Sequence, residues 1–354
     1  MSTKYYHLTV KEVIQETTDT ITISFWHPVH QAISYNAGQF LTIISEIGGK
    51  KIRRSYSMSS SPHADASLAV SVKRVPNGLM SNHLNDTIKP GDALEVMEPM
   101  GHFSPQLNPQ QSRHVVLFGA GSGITPLMSI AKSVLTIEPN SKVFLVYGNR
   151  NQEGIIFKKQ LEDLEQKHAG HFEVHHVLTQ PQGVWVGMKG RINEGMTVVL
   201  LKQMGVALHN ADFFLCGPEG MMQEVQKGLK DLNISPERVH QELFFSSPDA
   251  KNHDQPEEEE STLKAQTVVI HYEGNRYETE VKPHQTILEA FLDKDIDLPY
   301  SCQAGMCTAC LGKCTSGKVM MDEEDGLTEK EIQQGYILTC VAHPMSKGVE
   351  IEIE

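Results

Sequence analysis

Four of the six cysteines fall close together near the C-terminus, in the segment YSCQAGMCTACLGKC, and another follows in GYILTCVAHP. Cys302, Cys307 and Cys310 have the spacing C-x4-C-x2-C, and Cys340 follows after a further 29 residues. Four thiolates at this spacing bind a [2Fe–2S] cluster. Structural zinc is the alternative, although it usually uses two close cysteine pairs where this chain has one. The spacing therefore predicts four metal ligands, whereas Cys314 lies outside it and is expected to be a small buried apolar residue.

The negative charge of the chain is concentrated in its last third. The formal net charge is −13, and residues 249–354 carry 22 Asp and Glu against nine Lys and Arg, which accounts for the whole excess. We expect no nucleic-acid partner, because binding the phosphate backbone needs the opposite charge. An acidic module is suited to docking on a basic surface, although charge that only keeps the chain soluble is the alternative.

Membrane and secretion signals are not found in the sequence. No apolar run approaches the roughly 20 residues that cross a bilayer, and the N-terminus MSTKYYHLTVKEV is too polar for a secretory signal. We therefore expect no membrane span and a cytoplasmic protein. Thiols stay reduced in the cytoplasm, so clustered cysteines there indicate metal binding more often than disulfides.

The pattern of apolar residues divides the chain into three domains and a linker. Residues 1–108 contain many short strand-like segments separated by turn residues, which predicts an antiparallel β-barrel. Residues 109–245 alternate apolar strands with helical segments, which predicts an α/β domain with a parallel sheet. Residues 246–264 include two prolines and four consecutive glutamates and are predicted to be an acidic linker. Residues 265–354 contain three strand-like segments and one helical segment, which indicates a small α+β domain.

A glycine-rich turn in LFGAGSGITP follows the first apolar strand of the α/β domain. Glycines at such a turn let backbone N–H groups approach a pyrophosphate at a helix N-terminus. Any tight strand–helix turn favours glycine, and Pro126 stands where the usual dinucleotide fingerprint has its last glycine. A second apolar strand ends in Cys216-Gly217, and both turns are expected at the same sheet edge, where ligands bind. The predicted nucleotide-binding glycines of the first turn are Gly119, Gly121 and Gly123.

The segment RRSYSMSS directly follows a strand of the predicted barrel. It alternates arginine, an aromatic ring and hydroxyl groups, which could hold a planar, charged ligand. Read alone, the same segment is equally consistent with an exposed strand edge.

Together, these three motifs resemble the ferredoxin–NADP⁺ reductase superfamily with a plant-type ferredoxin fused at the C-terminus. The resemblance covers essentially the whole chain, and each domain has its own motif. It implies an FAD-binding β-barrel, an NAD(P)-binding α/β domain and a C-terminal ferredoxin domain with the β-grasp fold. FAD is favoured over FMN because GLMSNHL resembles the FAD-binding members.

The resemblance assigns flavin contacts to two segments. In the R-x-Y-S motif, Arg54 would contact the flavin phosphates, Tyr56 would pack on the isoalloxazine ring, and Ser57 would lie near its N5 atom. The segment NGLMSNHL resembles a second pyrophosphate contact, which would be made by Gly78 and Ser81.

The resemblance also assigns residues to the nicotinamide and to the remaining face of the flavin. GITP and CGPEGMM match nicotinamide-nucleotide segments, which would place Thr125 and Cys216 beside the nicotinamide ring. QELFF resembles a terminal E-x-F motif, so Glu242 and Phe244 would close the other face of the flavin. Thr125, Cys216 and Glu242 are expected at the catalytic centre together with Ser57, as groups that position the two rings.

The choice of nicotinamide nucleotide depends on a few side chains. A 2′-phosphate is bound by arginines, and Arg150 and Arg191 could provide them, which favours NADPH. Gln180 stands where NADPH-using relatives often have arginine, so NADH stays open.

The implied function is electron transfer from NAD(P)H through FAD and a [2Fe–2S] cluster to a partner oxygenase. The resemblance is strongest to the reductase component of phenylacetyl-CoA epoxidase. The segment DEEDGLTEKEI departs from that subgroup, which leaves the partner open. An electron-transfer subunit of a larger dehydrogenase and a reductase of a hybrid-cluster protein are the alternatives.

A swinging ferredoxin domain would explain the acidic linker. We therefore predict that shortening residues 249–262 slows electron delivery to the partner and leaves flavin reduction by NAD(P)H unchanged. Stopped-flow absorbance of the flavin and turnover with an acceptor protein measure the two steps separately. Equal slowing of both steps would contradict the prediction.

Overall fold

The computed structural model describes residues 4–28, 33–244 and 265–353, apart from positions 284, 304 and 325. The predicted linker, residues 246–264, lies outside the described residues. None of the helices in the described ranges is long and apolar enough to cross a membrane.

The N-terminal part forms a six-stranded sheet with the strand order β4-β3-β6-β1-β2-β5. Strand β2 pairs antiparallel with both β1 and β5, and its side chains are almost all buried. An isolated antiparallel bridge joins Met58, just after β4, to Val70 of β5. The predicted antiparallel sheet is therefore confirmed. Its elements are β1 (Tyr5–Thr17), β2 (Thr20–Phe25), β3 (Phe40–Ile47), β4 (Lys50–Ser57), β5 (Leu68–Lys73), α1 (Leu79–Thr87) and β6 (Ala93–Met97).

The middle part forms a parallel sheet with the strand order β10-β9-β8-β7-β11-β12. Val115 and Leu117 of β7 pack in one apolar cluster with α2, while Val116 and Phe118 pack in another with α4 and α5. Successive residues of a strand point to opposite faces, so an uninterrupted apolar strand needs helices on both sides. The elements are β7 (His114–Ala120), α2 (Ile124–Ile137), β8 (Lys142–Asn149), α3 (Lys158–Lys167), β9 (Phe172–Leu178), β10 (Met188–Lys189), α4 (Glu194–Gln203), β11 (Ala211–Cys216), α5 (Glu219–Asp231) and β12 (Val239–Glu242).

Buried serine pairs connect helix α2 to the segment that follows β4. The Ser129 hydroxyl donates to the Ser60 carbonyl at 2.6 Å, and the hydroxyls of Ser61 and Ser133 lie 2.7 Å apart. These four side chains are nearly inaccessible to solvent. Because an unpaired buried hydroxyl is costly, the pairs fix the position of α2 against this segment.

The C-terminal part forms a five-stranded sheet with the order β14-β13-β19-β15-β17 and a two-stranded sheet of β16 and β18. Helix α6 begins at a capping box in which Thr286 and Glu289 satisfy each other's backbone N–H groups. Its apolar face packs on the sheet and forms the core of this part. The elements are β13 (Gln266–Tyr272), β14 (Asn275–Val281), α6 (Ile287–Leu292), β15 (Leu311–Ser316), β16 (Val319–Met321), α7 (Glu329–Gln333), β17 (Tyr336–Leu338), β18 (Ala342–Pro344) and β19 (Val349–Ile353).

The backbone contacts divide the chain into two compact units. One unit comprises Met1–Tyr6, Thr42–Ser55 and Phe245–Glu354, and the other comprises His7–Leu41 and Tyr56–Phe244. The hairpin of β3 and β4 is thus grouped, for most of its length, with the cysteine-rich C-terminal part.

Candidate functional site

Two predicted nucleotide-binding turns meet at one edge of the parallel sheet. Strands β7 and β11 are neighbours, and their register places Gly119 opposite Cys216. Both strands run in the same direction, so the turns that follow them leave the sheet side by side. A Cβ atom added to Gly123 would lie 2.5 Å from the carbonyl carbon of Cys216 and 2.9 Å from the amide nitrogen of Gly217. Only glycine fits at this approach of the two turns.

The glycine-rich turn presents a helix N-terminus suited to phosphate. Helix α2 follows directly on a 3₁₀ turn at Gly121–Gly123, and it has no side-chain cap and no acidic residue in its first turn. Its first N–H groups and its dipole therefore favour an anion at this end. Gly121 has a positive φ of 56°, and the buried hydroxyl of Tyr147 donates to its carbonyl at 2.9 Å. Outside the turn itself, no described residue has an atom within 4 Å of a Cβ atom built on Gly121, so there is space at this point of the turn for the pyrophosphate of a dinucleotide.

Predicted catalytic side chains converge beside these turns. The Ser57 hydroxyl donates to Oε2 of Glu242 at 2.9 Å, and both side chains are buried. Strand β12 pairs in parallel with β11, and the register places Glu242 opposite Cys216. The hydroxyl of Thr125 donates to the Ser122 carbonyl at 3.0 Å, within the first turn of α2. The structure thus brings Ser57, Cys216 and Glu242 together, while the Thr125 hydroxyl stabilises its own turn.

The surroundings of the Cys216 thiol favour its uncharged form. Its side chain is fully buried, and this burial, together with the negative charge of Glu242, raises its pKa well above the ordinary value. The thiol therefore stays protonated at neutral pH. A protonated thiol is a poor nucleophile, so the site suits Cys216 for contact rather than for covalent chemistry.

The predicted flavin-binding residues lie on β4 and at the start of α1. Arg54 and Tyr56 are half-buried and lie on one face of β4, whereas Ser57 lies on the opposite face. Gly78 is the N-cap residue of α1, which has no side-chain cap, and the Ser81 hydroxyl accepts the Val75 N–H at 3.0 Å. A second helix N-terminus is therefore ordered for a phosphate, as FAD requires. The sequence predicts the phosphate contact here but not the helix.

The two arginines considered for the 2′-phosphate lie at the same edge of the parallel sheet. Arg150 follows β8, and its carbonyl accepts the N–H of Gln180 at 2.7 Å. Arg191 follows β10, which pairs with β9. All three side chains are exposed to solvent. Two cations next to the predicted nucleotide turns are compatible with an additional phosphate, and the neutral Gln180 lies between their strands.

Three further residues of the predicted cofactor segments, Pro126, Gly217 and Phe244, make fewer contacts that point to a ligand. Pro126 is buried in the first turn of α2, where the missing N–H of proline costs nothing. A Cβ atom added to Gly217 would lie 3.1 Å from the amide nitrogen of Ala120. Phe244 follows β12 and has a side chain that is 43% exposed. An exposed ring at this point is available to cover a ligand.

The four predicted metal ligands lie in contact with one another. The sulfur atoms of Cys310 and Cys340 are 3.3 Å apart. Cys302 lies within hydrogen-bonding reach of Cys307 and Cys340, and these contacts, with burial added, raise the pKa of both thiols. Ionising four crowded thiols needs a nearby cation, which iron supplies when the cluster is bound. Among the described residues, no three His, Cys, Asp or Glu side chains surround a point suited to a single metal ion.

The loop between Cys302 and Cys310 is packed tightly by the segment after β16. Gly305 has a positive φ of 70°, and an added Cβ atom would lie 2.7 Å from the Cβ atom of Glu323. Gly326 donates its N–H to the Gly305 carbonyl at 2.7 Å, and an added Cβ atom would lie 3.0 Å from the amide nitrogen of Cys307. Glu323 and Gly326, from the acidic segment set apart in the sequence, therefore pack against the loop that carries the predicted cluster ligands.

Two residues of the site and one side chain near it are not anticipated by the sequence. The Tyr147 hydroxyl donates to the Gly121 carbonyl of the glycine-rich turn. From the sequence, an aromatic residue in an apolar strand is expected only to occupy the core. Gly326 lies close to Cys307. The sequence pattern that could have indicated it is a glycine placed between acidic residues and the capped helix α7. Cys314 is half-buried rather than buried, and its thiol donates to the Ser316 carbonyl at 3.2 Å. The prediction of full burial for Cys314 is wrong because β15 presents it near the sheet end.

Three family models match successive parts of the chain. The oxidoreductase FAD-binding domain matches residues 6–104, the oxidoreductase NAD-binding domain matches residues 117–227, and the 2Fe-2S iron-sulfur cluster binding domain matches residues 270–345. The fold and the site therefore define a flavin-, nicotinamide- and iron–sulfur-binding oxidoreductase.

Characterised proteins resemble the chain over nearly its whole length. The ferredoxin reductase component of 3-ketosteroid-9-alpha-monooxygenase from Rhodococcus rhodochrous is 37% identical and covers 98% of this chain and 96% of its own. A subunit of 1,2-phenylacetyl-CoA epoxidase from Escherichia coli strain K12 is 31% identical over 99% of this chain and 98% of its own. Phthalate dioxygenase reductase shares the fold, with a TM-score of 0.63, 22% identity and coverage of 99% and 98%. The chain belongs to the family of reductase components of oxygenases.

The close approach at Gly123 gives a direct test of the nucleotide site. We predict that Gly123→Ala weakens binding of NADPH or NADH at least tenfold and destabilises the fold by about 1–3 kcal/mol, because the new methyl group displaces the Cys216 carbonyl. Calorimetric titration with each nucleotide and thermal unfolding measure the two effects. In the control Gly195→Ala, the added methyl group meets only the side-chain oxygen of Asn193, 3.8 Å away, and affinity should not change. Unchanged nucleotide affinity in Gly123→Ala would refute this assignment of the site.

Proposed function

We propose that the chain is an NAD(P)H-dependent reductase that passes electrons through FAD and a [2Fe–2S] cluster to a partner oxygenase. The observation that carries the proposal is the presence, in one chain, of the Ser57–Glu242–Cys216 convergence and of four mutually contacting cysteines. The nicotinamide supplies a hydride, FAD exchanges electrons in pairs or singly, and the cluster carries one electron at a time. A chain with all three sites can therefore convert a two-electron donor into a one-electron donor.

The residues of the chain bind and orient these groups. The N-termini of α2 and α1 are suited to the phosphates of the nicotinamide nucleotide and of FAD, respectively. Ser57 and Cys216 present a hydroxyl and an uncharged thiol at the reaction centre, and Glu242 orients Ser57. Burial of all three side chains keeps water away from the place where a hydride would move.

The proposed partner is an oxygenase, because relatives named for a monooxygenase and for an epoxidase resemble the chain at full length. These two relatives are named for different substrates, so they support the class of partner and not one substrate. We further propose a location in the cytoplasm, where thiols stay reduced, because no disulfide joins any of the six cysteines.

Anaerobic titration tests the proposed route and its metal ligands. We predict that NADPH or NADH bleaches both the flavin band and the iron–sulfur band in the wild-type protein. Cys307→Ser should lose the iron–sulfur band and keep flavin reduction, because one of four ligands is missing. The visible spectrum during titration is the measurement.

Cys314→Ser is the matched control, because this thiol lies outside the ligand spacing and donates only to the backbone of Ser316. It should keep both bands. Loss of the iron–sulfur band in Cys314→Ser but not in Cys307→Ser would reverse the ligand assignment. A wild-type protein without visible absorbance, after reconstitution with FAD, iron and sulfide, would refute the proposed function.

We propose NADPH as the preferred donor, with Arg150 and Arg191 binding its 2′-phosphate. The double variant Arg150→Ala/Arg191→Ala should raise KM for NADPH about tenfold or more, since charge-assisted bonds to phosphate are lost. KM for NADH should change little, because NADH has no 2′-phosphate. Steady-state reduction of ferricyanide measures both constants. The control Lys167→Ala removes an exposed cation from α3, and equal loss with both nucleotides in the double variant would contradict the proposal.

A further inference from the structure

Asp297 and Arg53 form an ion pair that reaches from the cysteine-rich part to β4. The Arg53 guanidinium donates through both terminal nitrogens to the two carboxylate oxygens of Asp297, and the Nη2–Oδ2 distance is 3.0 Å. The Lys51 ammonium lies 3.9 Å from the same carboxylate. Two parallel charge-assisted bonds fix both the distance and the orientation of the two groups.

Burial of the Arg53 side chain leaves it little access to partners other than Asp297. Its side chain is 3% exposed, whereas that of Asp297 is 51% exposed. The guanidinium carbon lies 5.0 Å from the ring centroid of Tyr300, within the range of a cation–π contact. A buried guanidinium is costly without a countercharge, so the pairing with Asp297 is strongly favoured.

Three hydroxyl groups extend the same contact to the residue before the first cysteine ligand. The Ser301 hydroxyl bonds to the hydroxyl of Thr42 on β3 and lies 3.1 Å from that of Ser55 on β4. Thr42 and Ser55 are themselves 3.2 Å apart, so the three groups form a closed set. Ser301 directly precedes Cys302, and β4 continues directly from Ser55 to Tyr56 and Ser57 of the flavin motif.

We propose that Asp297, Arg53 and Ser301 are positioning residues that hold the cluster-binding loop on the strand bearing the flavin motif. This inference rests on the proposed function and adds to it a specific contact for internal electron transfer. One electron at a time leaves the reduced flavin and enters the oxidised cluster. The rate of such a transfer falls steeply with distance, so a contact that holds the loop on β4 during this step, before the domain swings to its acceptor, sets that rate.

Asp297→Asn tests the contact with little change in shape. The variant should slow electron transfer from flavin to cluster severalfold, because loss of the ion pair releases the cluster-binding loop from β4 and the transfer rate falls with distance. Flavin reduction by NAD(P)H should be unchanged. Asp297→Glu restores the charge and should recover part of the lost rate. Anaerobic stopped-flow absorbance separates the two steps in the holoprotein.

Asp295→Asn is the matched control. It removes one negative charge two residues away, from an exposed side chain that takes no part in these contacts. Asp295 has a positive φ of 56°, and asparagine tolerates this conformation well. The control should transfer electrons at the wild-type rate, which distinguishes the ion pair from a general effect of charge.

Two further readouts do not depend on turnover. Hydrogen exchange of the holoprotein should show faster amide exchange in β4 and in residues 297–301 of Asp297→Asn, but not of Asp295→Asn. Raising the ionic strength from about 0.01 M to about 1 M shortens the Debye length from about 30 Å to about 3 Å. Salt screens the half-exposed Asp297 carboxylate more than the buried Arg53 guanidinium, so wild-type internal transfer should slow modestly with salt, and more than that of Asp297→Asn.

Each outcome decides a separate question. Unchanged internal transfer and unchanged exchange in Asp297→Asn, with both cofactors bound, would overturn this inference and leave the proposed function standing. A wild-type protein that binds no flavin or no cluster would refute the proposed function instead. Should Asp297→Asn fail to assemble its cluster, wild-type transfer that is independent of salt would still overturn the inference.

Discussion

The parallel register of β7, β11 and β12 is the constraint on which the nucleotide site depends. It places Gly119, Cys216 and Glu242 in one row across three strands. A slip of one residue would turn every side chain of a strand to the other face of the sheet. Because both faces of these strands carry apolar residues, the hydrophobic pattern alone does not fix the register, and close packing of particular side chains against the helices on each face does. The contact of Gly123 with the Cys216 carbonyl and the bond from Ser57 to Glu242 both follow from this row.

Local patterns in the sequence predict much of the fold and the residues of the metal site. The strand QTVVIHY is β13 from its first residue to its last, because a run of β-branched residues flanked by polar residues marks it. The cysteine spacing predicts four ligands because sulfur chemistry leaves few alternatives at that spacing. Helix α1 is not predicted, since LMSNHLNDT is rich in residues that are weak helix formers. Its helix is stabilised by packing, with Met80 and Leu84 buried.

Contacts between distant segments could not be predicted in the same way. Ser57 and Glu242 are 185 positions apart, and no local pattern indicates that they share a hydrogen bond. Arg53 and Asp297 are 244 positions apart, and the sequence gives each the appearance of an ordinary surface charge. The resemblance to reductases predicts roles for Ser57 and Glu242 and predicts none for Asp297. Such pairs depend on how the elements pack, which the structure alone describes.

The protonated state of Cys216 also has a consequence for durability. Peroxide oxidises a cysteine through its thiolate, and the products beyond the sulfenic acid are largely irreversible. Burial and the neighbouring carboxylate of Glu242 keep the thiolate population of Cys216 very small. We therefore expect the sulfur atom of Cys216 to resist oxidation at the proposed reaction centre. The same features that make Cys216 a poor nucleophile should also slow its oxidation by peroxide.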